Sequence, residues 1–391
     1  MRENIENKKR LANLEKRDIT IDIVKGIGII MMVLGHSGFG YSSYFTTFHM
    51  ALFFIVSGCL YNNEASRSIG SVKSYILKKL KTLWLPYAVT NSIFILLNNI
   101  FIGINIYTTN PLIESVGSMN IGVASSKMSI LDMLKGIVKS FLFGGGTTLG
   151  GALWFLRALF VGLIMTCVIE FALRKIFKGL KDSSKIVFCI QVVLGIIFLV
   201  AGYVFTKNSI SVWKLPQFLT AYFFIMAGRV IRKANMLWKI NSFMEKKGEK
   251  VRAFMYVAVI VVLAATLFGL EKVVKVNLAD NFYTSLAGMV AVSFAGFFFT
   301  YFVADLLKHT FLAKGLVKCG QNTLAIIILH FLCFKAVTLA QVLIYHYENY
   351  KIAAFPILEN SGLWWLAYAV CGIVIPILLN DIRKYLILHY H

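Results

Sequence analysis

Charge is what this chain has least of. Only 15% of its 391 residues are Asp, Glu, Lys or Arg, and just 18 of those are acidic. A soluble domain of that length needs more charge to cover its surface, so a water-solvated globule is excluded. The six cysteines (Cys59, Cys167, Cys189, Cys319, Cys333, Cys371) show no CxxC spacing and fall in or beside apolar runs. They read as buried thiols packed as small hydrophobes, and neither disulfides nor a metal site is indicated. No GxSxG, HExxH, P-loop or GxGxxG occurs. Hydrolase, zinc-protease and nucleotidase readings therefore have no foothold. The first eighteen residues are polar and charged, with no short apolar stretch before a small-residue cleavage site, so a cleaved signal peptide is not expected. No internal repeat or low-complexity tract is visible, which counts against an inverted-repeat transporter.

What is present is hydrophobicity. Apolar residues make up 58% of the chain, Phe alone contributes 32, and the mean hydropathy is +0.73. Windowed hydropathy predicts ten spans, at about 19–38, 44–62, 84–104, 150–172, 185–205, 213–232, 252–270, 283–305, 321–344 and 362–381. The fold class this implies is an all-α integral membrane protein, a bundle of about ten transmembrane helices. A polar tail (1–18) precedes a single multi-pass membrane domain (19–391). The net charge of +22 would suggest nucleic acid on a soluble domain. Here 29 of the 40 Lys and Arg fall on the N-terminal side of the spans, 8 on the other, and three (Lys25, Arg157, Lys335) inside them. Positive residues favour the cytoplasmic side, so both termini are expected in the cytoplasm, with the lipid bilayer and not nucleic acid as partner. The longest connection on the other side, 105–149, ends in the glycine-rich run GGGTTLGG and is expected to cover the outward mouth of the bundle.

Lys25 and His36 bracket the first apolar run, IDIVKGIGIIMMVLGHS. Eleven residues make three helical turns to within about 20°, so both side chains lie on one face, roughly 16 Å apart along the axis. Ionisable groups at that depth face a bundle interior or a watery cavity. His36 lies towards the outer end of this helix, and the next span runs back inward with His49 close to the same end. The two imidazoles are placed to share a depth. Such buried groups line either a reaction centre or a transport pathway for a small polar solute or lipid-linked sugar, and the spacing alone leaves both open.

A basic residue, ten intervening residues and a histidine in the first membrane helix resemble the signature of the membrane acyltransferase-3 family. FHMALFFIVSGCLY resembles that family's second helix, YILKKLKTLWLPY its basic stretch ending in Pro-Tyr, ALWFLRALF its Trp-Phe element and NTLAIIILHFL its late histidine-containing helix. The wording of the first two segments sits closest to the fucose 4-O-acetylase-like branch. The resemblance implies a membrane O-acyltransferase of the plasma membrane. It would move acetyl from acetyl-CoA, a co-substrate and not a permanent cofactor, to a carbohydrate hydroxyl. His36 aligns with the family's catalytic histidine and would act as general base, with His49 beside it as a second candidate. Lys25, which Asp22 is placed to orient, would meet the coenzyme's phosphates or pantetheine arm. Lys78, Lys79 and Lys81 would receive its adenosine phosphates. Families of this kind often show arginine at that stretch, and a lysine cannot make the same bidentate fork.

Arg157 lies roughly seven residues into the fourth span, where a guanidinium needs a partner. It would hold an acidic acceptor, polarise the thioester carbonyl or pair with Glu170. Thirteen residues along one helix are almost 20 Å, so a partner must come from elsewhere. Trp154 would stack on a sugar ring or anchor at the interface. His330 matches the late family histidine and would hydrogen-bond a neighbouring helix or the substrate. Lys335 is open to pairing with a carboxylate such as Asp305. Ser57-Gly58 reads as a place of close helix packing and not as a nucleophile.

Overall fold

The computed structural model describes residues 18–116, 121–210 and 212–390, and the polar tail up to residue 17 lies outside them. Asp18 opens the first helix, α1 (Ile19–His36), by accepting hydrogen bonds from the amides of Thr20 and Ile21. Gly38, at φ +82°, turns the chain back. After one helical turn at Ser43–Thr46 comes α2 (His49–Cys59). At eleven residues α2 is shorter than the span expected over 44–62, because the backbone breaks at Phe48, where φ is −130°.

The third predicted span also differs. An amphipathic helix, α3 (Ile69–Lys79), capped by Ser68, runs through a wide turn at Leu80–Trp84 into α4 (Leu85–Leu96) and α5 (Asn98–Gly103). Pro86 has no amide to donate to the preceding turn, and the wider spacing of a π turn takes up the mismatch. The basic run therefore sits on a continuous helix and not in a loop.

The 105–149 connection packs in two parts, its first half against residues 342–358, where Ile113 meets Val342 and Ile352. Its helix α6 (Ile130–Phe141) packs along α4, with Gly136 facing Ile95. The glycine-rich run then folds against the middle of α4. Asn91 Oδ1 accepts from the Thr147 amide (3.1 Å) and hydroxyl (3.2 Å), and the Tyr87 hydroxyl donates to the Gly145 carbonyl. Irregular backbone is tolerated at membrane depth only where its polar groups are satisfied by protein, and these side chains supply that.

The remainder is α7 (Trp154–Ile176), α8 (Ser183–Lys207), α9 (Leu215–Lys233), α10 (Met236–Glu245), α11 (Glu249–Glu271), α12 (Leu286–Leu307), α13 (Leu312–Gln321), α14 (Thr323–Ile344) and α15 (Trp364–Tyr390). The strands are two-residue pieces: β1 (Ile121–Gly122) pairs with β4 (Ala354–Phe355), and β2 (Val276–Asn277) with β3 (Phe282–Tyr283). Among the described residues seven helices are long and apolar enough to cross a membrane: α1, α7, α8, α11, α12, α14 and α15. The architecture is that of an all-α membrane protein.

Two glycine crossings set the bundle's core. A Cβ on Gly26 of α1 would lie 2.0 Å from the Leu316 carbonyl oxygen, and one on Gly320 of α13 would lie 2.0 Å from that of Asp22. Likewise a Cβ on Gly58 of α2 would lie 2.0 Å from the Ile225 oxygen, and one on Gly228 of α9 1.9 Å from that of Ile55. At both places backbone touches backbone, which only glycine allows. Gly228→Ala should therefore force the two helices apart. We expect a loss of about 2 kcal/mol or more, in the range of overpacked cores, seen as a lower melting temperature in detergent. Gly315→Ala, which meets open space, should leave that temperature unchanged or raise it.

Candidate functional site

The C-terminal end of α1 brings His36 against the middle of α14. Its ring stacks on that of His330 with centroids 5.5 Å apart, and Phe331 closes the cluster at 4.8 Å from His36 and 4.0 Å from His330. His49, the first residue of α2, lies within electrostatic reach of His36. His36 is partly exposed, whereas His49 and His330 are buried.

The helix backbone fixes the tautomers of the two buried imidazoles. His330 Nδ1 lies 2.9 Å from the Ile326 carbonyl and 3.2 Å from that of Ile327. His49 Nδ1 lies 3.2 Å from the Phe45 carbonyl and 3.1 Å from that of Thr46. A carbonyl can only accept, so Nδ1 carries the proton in both rings and Nε2 is left as a lone-pair acceptor. The Nε2 of His330 is fully buried and has no hydrogen-bond partner among the described residues. An orphaned buried acceptor costs about 1–3 kcal/mol, a penalty that points to a role other than stability.

Lys25 lies on the same side of α1 as His36, with α14 facing both. It forms a 2.8 Å ion pair with Asp22 and lines a 170 Å³ cavity with Ser57, Thr82, Thr323 and Ile327. Ile327 is also the residue whose carbonyl holds His330. Ser57 and Leu60 also line a second, larger cavity of 770 Å³, bounded by Tyr61, Tyr75, Lys78 and Lys79. A space carrying two lysines thus adjoins, across Ser57 and Leu60, the space lined by Lys25. Burial, and after it the like charge of Lys78, lowers the Lys79 ammonium below its ordinary value, so an anion there would relieve both. Lys81, on the wide turn, is exposed and takes no part in the lining.

Arg157 is buried and makes no ion pair among the described residues. It donates to the Phe143 carbonyl (2.6 Å) and to Gln217 Oε1 (3.3 Å), with the Tyr87 hydroxyl in hydrogen-bonding reach. It therefore holds the glycine-rich loop in the bundle. Trp154 stands directly after that loop, partly buried, at the start of α7. Glu170 pairs with Arg174 (2.8 Å) and Arg229 (2.9 Å) instead. Asp305 is taken by Lys308 (2.7 Å) and the Tyr256 hydroxyl (2.7 Å), while Lys335 donates to the Ile352 and Ala354 carbonyls at 3.0 and 2.6 Å.

A family model described as an acyltransferase domain matches residues 18–381. This chain belongs to the acyltransferase-3 family. It is a membrane acyltransferase, and the histidine cluster and its cavities lie within the matched region. No curated protein and no solved structure matches the chain.

The site residues that sequence reasoning passed over are Phe331, which touches both imidazoles, and Tyr87 and Asn91, which fasten the loop. Phe331 carried a signal in its adjacency to His330. Asn91 is a lone amide in an apolar run and had none stronger. Tyr87 and Arg157 hold one loop, so their effects should couple. Tyr87→Phe and Arg157→Gln should each lower the melting temperature of this acyltransferase, and a double-mutant cycle should return a coupling of about 0.5–3 kcal/mol.

Proposed function

We propose that this acyltransferase transfers acetyl from acetyl-CoA to a hydroxyl of a cell-surface or lipid-linked carbohydrate, with His36 as general base. The observation that carries the reading is the order in which cations, cavities and imidazoles follow one another. A vestibule lined by Lys78 and Lys79 shares Ser57 and Leu60 with a narrower space lined by Lys25 and by Ile327, whose carbonyl holds His330 of the stacked pair His36–His330. That shape suits a donor with a polyanionic head, a thin flexible arm and a thioester at its tip.

In this reading the head stays in the vestibule and the arm passes Lys25, which its pairing with Asp22 keeps oriented. The sugar hydroxyl gives its proton to His36 as its oxygen attacks the thioester carbonyl. The tetrahedral intermediate collapses, the C–S bond breaks, and the thiolate takes the proton back from the imidazolium. His330 Nε2 accepts a hydrogen bond from the acceptor and so orients it. His49 sits beside His36 as the second imidazole, and Trp154 offers a stacking face. Arg157 is a positioning residue, since its donors hold the glycine-rich loop. The acceptor is a sugar hydroxyl, as in the fucose 4-O-acetylase-like branch that α1 and α2 resemble. The excess of Lys and Arg on one side supports a plasma-membrane protein with both termini in the cytoplasm.

The test uses purified protein in nanodiscs with acetyl-CoA radiolabelled in the acetyl group and a panel of polysaccharides. His36→Ala should lower acceptor-dependent transfer by about 10²-fold or more while coenzyme binding persists. Lys25→Ala should raise the KM for the donor more than it lowers kcat. Failure of folded wild type to bind coenzyme A would sink the donor assignment. A fluorescent protein fused to the C-terminus should be bright in cells, and a dark but membrane-inserted fusion would reverse the topology.

A further inference from the structure

Beside the vestibule lies another cavity, of 330 Å³, whose lining is dominated by cations: Arg174, Arg229, Arg232 and Lys233. A single carboxylate, Glu170, faces them and is shared between Arg174 and Arg229. Arg229 spends further donors on Gln191 (2.8 Å) and Asn63 (3.2 Å), Arg232 donates to the Tyr61 carbonyl (2.6 Å), and the Lys233 ammonium rests 3.9 Å above the Phe188 ring. Four positive charges against one negative leave the cavity short of anions. The Nε atoms of Arg174 and Arg229 are buried and have no partner among the described residues. Ser184, in the first turn of α8, brings the positive end of a 25-residue helix to the same space. One buried guanidinium (Arg229), the partly exposed Arg174, the exposed Arg232 and Lys233, a hydroxyl and a helix N-terminus together make a phosphate site.

Its position narrows the choice of phosphate. Tyr61 lines both this cavity and the vestibule and so stands between them, with Arg229 lying 4.4 Å over its ring. One set of cations (Lys78, Lys79) therefore stands on the route to Lys25, and a denser set stands on a side branch. Coenzyme A has matching anatomy: its 5′-diphosphate is in line with the pantetheine arm, and its 3′-phosphate branches from the ribose. We infer that the arginine cavity seats the 3′-phosphate of the donor, with the diphosphate in the vestibule. The inference rests on the donor reading above and adds the residues that would recognise the nucleotide.

The test compares coenzyme A with 3′-dephospho-coenzyme A, titrated into the full-length protein in phosphatidylcholine nanodiscs. Wild type should prefer coenzyme A by at least about 10-fold, the scale of a few charge-assisted hydrogen bonds. The double variant Arg232→Gln/Lys233→Gln should erase that preference while keeping its affinity for the dephospho form. These positions are chosen because Arg174 and Arg229 hold Glu170, and removing either would strip the buried carboxylate of one of its two partners. Lys78→Gln should weaken both ligands alike. Equal affinities in wild type, or a preference that survives the double variant, would overturn the assignment and leave the donor reading standing. Binding of neither ligand would remove both. A lipid headgroup is the other source of phosphate. If native mass spectrometry from phosphatidylglycerol nanodiscs shows a lipid retained by wild type and lost by the double variant, with the coenzyme preference unaltered, the cavity belongs to lipid and the proposal falls.

Discussion

Everything in this bundle is referred to two places where backbone meets backbone. The reciprocal glycine contacts of α1 with α13 and of α2 with α9 bring each carbonyl to where a neighbour's Cβ would be. In a membrane the hydrophobic effect gives little reason for helices to associate, so close packing and weak Cα–H···O contacts carry more of the load. Fixing α13 on α1 also fixes the start of α14, since only Asn322 separates them. His330 then falls beside His36, and Thr323 beside Lys25. Fixing α9 on α2 places the arginine cluster at the end of α9 next to Tyr61. The histidine cluster and the arginine cluster thus depend on the same kind of contact.

Around that frame, buried cations are spent on backbone more than on carboxylates. Arg157 holds the Phe143 carbonyl and Lys335 holds Ile352 and Ala354. Each fastens an irregular segment to a helix. Lys335 thereby anchors β4, whose Phe355 packs at 4.7 Å on Phe331, the ring that touches both imidazoles. Two groups that read in sequence as candidates for ion pairs prove to be supports for the site's walls.

The sequence carried the local periodicities well. Hydropathy placed apolar helices close to their observed limits, and the eleven-residue spacing put Lys25 and His36 on the face that meets α14. The SG dipeptide of α2 was legible as close packing, and Gly58 fills that role. Contacts set by tertiary partners were not legible. A glycine-rich run reads as a surface loop unless one knows that Asn91, Tyr87 and Arg157 converge on it from helices up to 70 residues apart in the chain (residues 87 to 157). Nor does a basic stretch between hydrophobic spans distinguish a loop from α13, whose packing against α1 is what makes it a helix. His330 looked like a lone polar residue, because its stack with His36 joins residues almost three hundred positions apart.

The inward-folded glycine loop also bears on how the chain is made. Its Phe143 and Gly145 carbonyls are satisfied by Arg157 and Tyr87, one emerging after the loop and the other before it. While ribosomal synthesis has delivered only α6 and the loop, half of those donors do not yet exist, and bare carbonyls are costly in lipid. The segment completes its hydrogen bonds only once Arg157 of α7 has been made. The loop's fastening is thus shared between a donor made before it and a donor made after it, so its native contacts are complete only when both helices are in place.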